Sequence, residues 1–264
     1  MQGVDGTFEL CVGLSELIPD PLIRCAGHTL QLLPQRALWW PSEKTLLVAD
    51  VHLGKGATFR ALSQPLPQGS SSRDLQRLSA LMAQLQAQRL VVLGDFWHSR
   101  YGITPALFHA LKQWRHQHRQ QHVILVRGNH DRAIGKGNIM GDLEIGMVDQ
   151  PFPLASGLYA CHEPPLQVPG LPPSSNKSTA MVPQASVSTN APDPFYLAGH
   201  LHPAVRLMGK GRDSACLPCF VLQEGQLVLP AFGSLTGHLM LDLNSLHQNG
   251  AKAGIIAPDA IWLV

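Results

Sequence analysis

The sequence predicts a layered α/β protein in which a parallel sheet with its helices is followed by a second group of strands. Two observations favour this fold class. Between residues 45 and 126, three short apolar runs alternate with two segments of helical periodicity, which is the order of βαβ units. After residue 157 the chain changes to short apolar runs with few helices between them. With 264 residues, 45% of them hydrophobic, the chain can build a substantial core.

The first predicted elements are a hairpin and three buried strands. Alternating apolar and polar residues on both sides of a proline-containing turn predict a hairpin over 28–40. Three further apolar runs have the length and composition of strands buried on both faces of a sheet: 45–51, 90–93 and 122–126.

Two helices are predicted between these strands. Leucine and methionine residues at helical spacing predict a helix over 73–88, with Ser71 or Ser72 available as its cap. A second helix is expected over 105–119, because Pro105 suits a first helical turn and the large apolar residues share one face. Both helices therefore serve as crossovers between parallel strands.

The second half predicts six short strands, at 157–162, 194–200, 204–208, 219–222, 226–232 and 238–243. The stretch 164–192, which separates the first two, is rich in Pro, Ser, Thr and Asn and has one cation and no acid. Its length and composition predict a flexible loop inserted into a single domain that covers 1–264.

Composition excludes several protein classes. The apolar content and a net charge of only +2 exclude a disordered chain. No apolar run approaches the ~18 residues that span a bilayer, and the first 20 residues lack the basic start of a secretory signal. Five cysteines, an odd number, do not indicate a disulfide framework. We therefore expect a cytoplasmic protein without membrane association.

Ligand-type side chains follow five of the predicted strands, and each group stands beside a small residue. These side chains are Asp50 and His52, Asp95, then Asn129, His130 and Asp131, then His162, and finally His200 and His202. A lone buried histidine is more often a core residue than a ligand. Functional sites in layered α/β folds gather at the carboxyl ends of strands, so five such groups in order predict a metal site.

The donor set indicates the metals and the chemistry. Four histidines, two aspartates and one asparagine supply only N and O donors, which suit Mn, Fe or Zn better than Ca or copper(I). Seven ligands exceed what one centre can use while keeping room for water, so two divalent ions are expected, with Mn preferred. Two ions ~3.5–4 Å apart can bridge a hydroxide and clamp both oxygens of an in-line phosphoryl displacement.

These groups, in this order, resemble the five motifs of the calcineurin-like metallophosphoesterases. Longer runs, including ADVHLGKGATFRALSQPLP from residue 49 and LVLPAFGSLTG from residue 227, resemble the bacterial ligase-associated DNA-damage-response endonucleases of that superfamily. The resemblance implies a four-layer α-β-β-α sandwich, with two mixed sheets flanked by helices. It also implies a divalent-metal-dependent phosphodiesterase that cuts DNA during repair.

The resemblance further implies a division of roles. The ligands would form two sets that share Asp95, with Asp50, His52 and His202 for one ion and Asn129, His162 and His200 for the other. His130 would lie beside the metals without binding them and would assist the leaving group. Asp131 would orient His130.

Two positions depart from the common pattern of the superfamily. His98 stands where many members have a second acid, and we expect it to contact the phosphate as part of the catalytic machinery. Glu163 adds a negative charge next to His162, which would weaken binding of an anionic substrate.

Cationic residues lie in the loops that carry the motifs: Lys55, Arg60, Arg100, Arg127, Arg132, Lys136, Lys210 and Arg212. Such residues could form a positive rim that favours a phosphate polyanion, and the alternative is a set of solvated loop charges. We expect Lys55, Arg60 and Arg100, together with Asn129, to bind the substrate.

A DNA endonuclease is the favoured hypothesis, and two alternatives stay open. One is the same chemistry on a nucleotide, a cyclic nucleotide or a phosphoprotein. The other is a binding scaffold that has lost catalysis, against which the presence of all seven candidate ligands and His130 argues. The expected partners are DNA and DNA-repair proteins. The oligomeric state is left open, with a homodimer as one option.

Overall fold

The structure is a computed structural model that describes residues 17–18 and 21–264, except 133, 135–138, 170, 172–192, 209–212 and 259. The strands are β1 (Leu17–Ile18), β2 (Leu22–Cys25), β3 (His28–Leu33), β4 (Ala37–Trp40), β5 (Thr45–Val48), β6 (Arg89–Leu93), β7 (His122–Val126), β8 (Gly146–Val148), β9 (Phe152–Ala155), β10 (Leu158–Ala160), β11 (Phe195–Ala198), β12 (Pro203–Met208), β13 (Ser214–Gln223), β14 (Gln226–Val228), β15 (Leu239–Leu241), β16 (Lys252–Ile256) and β17 (Ile261–Leu263). The helices are α1 (Lys55–Ala61), α2 (Ser70–Gln84), α3 (Pro105–Gln117), α4 (Asn129–Arg132), α5 (Ile139–Asp142) and α6 (Leu243–Gln248), with 3₁₀ turns at Pro41–Glu43 and Arg100–Gly102.

Within the described residues the strands form two sheets. The first has the order β2-β3-β4-β5-β6-β7-β8, antiparallel up to β5 and parallel from β5 to β8. The second has the order β1-β17-β16-β13-β14-β11-β10-β9, with β12 joined to β13 and β15 to β12. Its strands β10, β11 and β14 are parallel. Each sheet thus has a parallel group whose carboxyl ends open at one edge.

The sheets pack face to face and carry helices on their outer faces. Leu47 and Leu93 of the first sheet share a core with Leu197 and Leu227 of the second, and all four are fully buried. Helices α2 and α3 cover the other face of the first sheet. On the far side of the second sheet, α6 packs through Leu246. The predicted α/β sandwich with two mixed sheets and flanking helices is confirmed.

Most predicted elements of the first half are present with small shifts. The hairpin over 28–40 is β3 and β4, and the helix expected over 105–119 is α3, which starts at Pro105. The helix expected over 73–88 starts earlier, as α2. The prediction that a serine caps α2 is wrong, because its N-cap is Gly69 with no side-chain cap bond.

The segment 164–192 can be followed only at its start. Gln226 is fully buried and exchanges two hydrogen bonds with the backbone of Leu166, at 3.1 and 3.0 Å. Val168 is buried against the second sheet. The predicted loop therefore has an anchored beginning, and the rest of it lies outside the described residues. None of the helices that the structure describes has the length and apolar character needed to cross a bilayer.

Candidate metal centre

The candidate ligands come together where the parallel strands of both sheets end. Asp50 follows β5, Asp95 follows β6 and His162 follows β10. The two sheets meet at this edge through a bridge between Ala49 and Ala231. Five strand ends, which are far apart in sequence, thus converge on one site, as the strand-end pattern predicts.

One group of possible ligands consists of Asp50, His52 and His202. The Asp50 Oδ1 atom lies 3.3 Å from Nε2 of His202, and the Nε2 atoms of His52 and His202 are also 3.3 Å apart. Asp50 is fully buried, and its Oδ1 atom has no hydrogen-bond partner. This carboxylate therefore presents an uncompensated oxygen to two imidazoles.

A second group consists of Asp95, His162 and His200. Nε2 of His162 lies 3.0 Å from Nδ1 of His200 and 2.8 Å from Oδ1 of Asn129. Nδ1 of His162 donates to the carbonyl of Leu93 at 3.0 Å, so the lone pair of this ring is on Nε2, within the group. A carbonyl that fixes the tautomer in this way is typical of metal-binding histidines.

Asp95 lies between the two groups. Its Oδ1 atom is 3.5 Å from Nε2 of His162, and its Oδ2 atom is 3.9 Å from Nε2 of His52. The backbone amide of His130 donates to Oδ1 at 2.9 Å and fixes the carboxylate. One carboxylate therefore faces both groups, the position that a bridging ligand requires.

Burial favours the uncharged form of three of these histidines. It is the main cause that lowers the pKa of His52 to about 2, and burial also lowers the pKa of His162 and His200. Neutral imidazoles carry the lone pairs that a cation needs.

The pKa values of Asp95 and Asp50 are shifted in opposite directions. Burial and the nearby Asp50 raise the pKa of Asp95 to about 8. Burial also opposes ionisation of Asp50, but the nearby imidazoles, His202 first among them, keep the pKa of Asp50 below its usual value.

The donor set fits divalent cations. The facing ring nitrogens are 3.0 Å apart in one group and 3.3 Å apart in the other, so each pair could bind one cation between them. A cation there would also be a partner for the orphaned Asp50 oxygen. The donors are N and O atoms without a thiolate, as expected for Mn, Fe or Zn. We conclude that the two groups can hold two metal ions.

The backbone at the site is strained. Five of the candidate ligands have positive φ angles between 49° and 71°, a region that is uncommon for residues other than glycine: Asp50, His52, Asp95, His200 and His202. Such conformations persist only where the surroundings enforce them, and they concentrate at functional sites. These backbone angles direct each side chain from its strand end into the centre.

Small residues beside the ligands are required by close packing. Gly94 has a φ of +77°, and a Cβ atom there would overlap the ring of His162. A Cβ on Gly128 would overlap the carboxylate and the amide of Asp95. The small residues noted in the sequence are therefore part of the site, because larger ones would displace ligands.

His130 lies at the edge of the centre with a fixed tautomer. Its Nδ1 atom donates to the carbonyl of His98 at 2.5 Å, and its Nε2 atom is 3.8 Å from Oδ2 of Asp95. The prediction that Asp131 orients this ring is wrong. The Asp131 carboxylate instead accepts from the amides of Trp97 and Gly128, at 3.2 and 3.0 Å, and holds the two ligand loops together.

His98 is also part of this edge. Its ring stacks on the rings of His130 and Phe59, with centroids 5.2 and 5.9 Å away. Burial, followed by the charge of Lys55, lowers the pKa of His98 to about 4. Lys55 is half-buried and lies near the ring of Phe59, which places its ammonium group beside the histidines.

The other predicted substrate contacts differ in position. Arg60 donates to the carbonyls of Leu66 and Pro67, at 3.3 and 3.2 Å, so its guanidinium is engaged by its own loop. Arg100 is fully exposed. Arg127 pairs with an aspartate, Asp149, at 2.9 Å. Three further predicted rim cations lie outside the described residues: Lys136, Lys210 and Arg212.

Two residues of the site have no signal in the sequence. The Gln150 Oε1 atom accepts from the amides of His162 and Glu163, at 2.6 and 3.0 Å, and so positions the loop after β10. Phe59 supports His98 from α1. Neither belongs to a motif, because both act on their partners through the fold.

A family comparison identifies the chain by its sequence. The model of the calcineurin-like phosphoesterase family matches residues 43–215, which include the five strand ends up to His202. The chain belongs to this family. A comparison with curated proteins returned no match.

Solved structures agree with the family assignment. A nuclease from Pseudomonas putida, MPE, shares 31% identity with this phosphoesterase, at a TM-score of 0.69, over 93% of this chain and 100% of MPE. A protein of unknown function from Aquifex aeolicus has 16% identity and a TM-score of 0.39, over 64% of this chain and 82% of its own. The phosphoesterase Yfce from E. coli has 16% identity and a TM-score of 0.37, over 83% and 97%. The last two likenesses carry no argument about function.

Proposed function

We propose that this calcineurin-like phosphoesterase is a metal-dependent phosphodiesterase that cuts DNA strands during repair. The observation that carries the proposal is the pair of ligand groups facing one shared carboxylate, with an additional histidine of fixed tautomer at their edge. The likeness to a nuclease of 31% identity supports a nucleic acid as the substrate.

The ligands divide as the two groups suggest. In the proposal, Asp50, His52 and His202 hold one divalent ion, Asn129, His162 and His200 hold the other, and Asp95 contacts both. Manganese is the expected metal. When bound, such ions supply charge stabilisation at the phosphate and an activated nucleophile at neutral pH.

His130 acts on the leaving group in this proposal. The carbonyl of His98 occupies its Nδ1–H, so Nε2 is the free ring nitrogen, and it carries a transferable proton in the imidazolium form of the ring. The oxygen of water forms a bond to phosphorus as the water loses one proton to solvent, and the ester P–O bond breaks. The leaving oxygen takes the proton from Nε2, and solvent returns a proton to the ring. His98 is neutral near pH 7, so it contacts the phosphate through a hydrogen bond and not through charge.

The charge distribution favours DNA over a small substrate. Residues 51–130 contain ten Lys and Arg residues and only two acids, Asp74 and Asp95. This part of the chain provides the loops after β5 and β6, which carry His52, Lys55 and His98. A polyanion would be attracted to this side of the centre. A cytoplasmic location and a partnership with repair proteins remain predictions.

The test is a substrate panel with purified protein and manganese. Single-stranded, duplex and gapped DNA are compared with a nucleotide, a cyclic nucleotide and a phosphoprotein. We expect DNA cleavage that chelation abolishes, with the kcat/KM for DNA exceeding that for every small substrate. The matched variants are His200→Ala, which should lose activity, and His247→Ala on α6, which should retain it. Hydrolysis of a small substrate in preference to DNA would overturn the nucleic-acid proposal.

A further inference from the structure

An exposed aromatic side chain without a role in the core lies on the turn that follows His98. Tyr101 is 67% exposed and lies on the 3₁₀ turn Arg100–Gly102. The guanidinium of Arg100 is 4.9 Å from the centroid of its ring and donates to its hydroxyl at 3.0 Å. The exposed ring, held in place by the guanidinium, is thus available for contact with a ligand.

The turn that carries Tyr101 is held rigidly against the first ligand loop. A Cβ on Gly102 would lie 2.5 Å from the carbonyl oxygen of Gly54, so the two backbones are in direct contact. The hydroxyl groups of Thr58 and Ser99 are 2.8 Å apart and bond α1 to the same turn. Tyr101 is therefore presented from a fixed platform, which reduces the entropy lost when a ligand binds.

The platform is close to the reacting groups. Tyr101 is three residues from His98, and three residues of extended chain span at most about 11 Å between Cα atoms. The His98 ring contacts the rings of His130 and His52, with centroids 5.2 and 5.5 Å away. The aromatic row Phe59, His98 and His130 thus leads from the α1 side into the centre, and the Cα atom of Tyr101 lies within about 11 Å of the Cα atom of His98 in that row.

The surroundings of Tyr101 are positive. The sequence has no acidic residue from 96 to 130 and none from 51 to 73. Arg100 is fully exposed, and Lys55 lies at the start of the helix against which the turn packs. An aromatic ring with cations beside it suits a ligand that has both a flat ring and a phosphate.

We propose that Tyr101 is a stacking platform for a base of single-stranded DNA next to the bond that is cut, and that Arg100 contacts the adjoining phosphate. The inference rests on the proposed function, because it requires a nucleic acid at the centre. A duplex offers no free base face, since its bases are paired and stacked, whereas a single strand does. Tyr101 would thus favour an unpaired strand and would not touch the reacting atoms.

The experiment distinguishes the effect of the aromatic ring on DNA binding from the effects of its hydroxyl group and of side-chain volume. The full-length chain is prepared as wild type, Tyr101→Phe, Tyr101→Leu and the control Met208→Ala, which alters an equally exposed side chain on β12. Each protein is titrated with single-stranded and duplex DNA in EDTA. The single strand carries 2-aminopurine, whose fluorescence falls when it stacks. The kcat/KM for the single strand with manganese is then measured.

Removal of one stacked ring should weaken single-strand binding by about 5- to 100-fold. We expect that loss in Tyr101→Leu, together with loss of the fluorescence quench. Tyr101→Phe and Met208→Ala should remain near wild type, and the affinity for duplex should change little in all four. Equal binding and quenching by Tyr101→Leu and wild type would overturn the inference while leaving DNA cleavage intact. If the wild type cuts no DNA yet hydrolyses bis(p-nitrophenyl) phosphate, the proposed function fails, and the platform with it.

Discussion

Asp95 has an unfavourable electrostatic position when no metal is bound. Its pKa of about 8 means that the metal-free carboxyl is protonated at neutral pH, because burial and Asp50 oppose its charge. Two cations bound to the oxygens of this carboxylate would instead favour its ionised form. The residue is thus suited to metal binding and is poorly satisfied without it.

Asp95→Ala should lose both metals and all activity, because two cations would then face each other without the carboxylate between them. Elemental analysis of the purified variant measures the metal content, with His130→Ala as a control that should retain metal. Two ions per chain in Asp95→Ala would show that the carboxylate does not bridge.

His130→Ala should keep its metal while kcat falls by ~10²–10⁴, which is the usual contribution of a positioned proton donor. The loss should shrink with nitrophenyl esters, whose leaving groups need little protonation. Rates on esters of increasing leaving-group pKa provide the measurement. An equal loss on good and poor leaving groups would argue against the acid role.

The sequence predicts ligand types better than their supporting contacts. The seven candidate ligands could be found because each stands at the end of an apolar strand, a pattern visible in one chain. The hydrogen bond from His130 to the carbonyl of His98 could not be found, because a backbone acceptor leaves no residue-type signal. For the same reason the sequence predicts the wrong partner for Asp131, whose carboxylate accepts from the amides of Trp97 and Gly128.

At the scale of elements, the loops that join strand to helix determine where the ligands lie. The amide of Gly233 donates to the carbonyl of Asp50 at 3.1 Å, which ties the loop after β14 to the loop after β5. On the same side, Asp74 of α2 accepts from the amide and hydroxyl of Ser234, each at 3.1 Å. Helix α2 therefore holds the second sheet's loop against the first sheet's ligands.

Gly128→Ala tests this dependence on loop packing. The added methyl group would push on the Asp95 carboxylate and amide, so metal content and kcat/KM should fall sharply while the far-UV circular dichroism stays native. Gly146→Ala on β8 is the matched control, because the nearest atom to its methyl group would be 3.6 Å away. A Gly128→Ala protein with full metal content and wild-type kcat/KM would contradict the packing argument.

Elements with strong periodicity were predictable, and short ones were not. Helices α2 and α3 have leucine or aromatic residues on one face, and β5, β6 and β7 are continuous apolar runs. Helix α1 has only seven residues, and glycine, threonine and arginine interrupt its apolar face. Packing against the 3₁₀ turn Arg100–Gly102 stabilises this helix. Helix α1 therefore forms because of tertiary contacts, which a local sequence pattern does not contain.

At the scale of the whole molecule, charge is divided unevenly along the chain. A net charge of +2 conceals the excess of cations in residues 51–130, which build the outer helices and the loops on one side of the centre. Structural pairing reduces the effective number of these cations. Arg77, for example, is bonded to Asp74 at 3.0 Å and lies over the ring of Phe232. Lys55 and Arg100, which have no ion pair among the described residues, are left to act on a substrate.

These two cations lead to a prediction about salt. Each phosphate that a single strand places on a cation releases counterions, so log(kcat/KM) for DNA should fall with log[salt] by about 0.7 per contact. A double variant, Lys55→Gln with Arg100→Gln, should flatten that slope by about 1.4 in these units. A small phosphodiester that touches only the metals should show little salt dependence in either protein. The measurement is kcat/KM from low to moderate salt for both substrates, with Lys252→Gln on β16 as the control that keeps the wild-type slope.

If DNA and the small ester respond alike to salt and to the double variant, the cations are solvated surface charges. The preference for a polyanion would then have to arise at the metal centre itself.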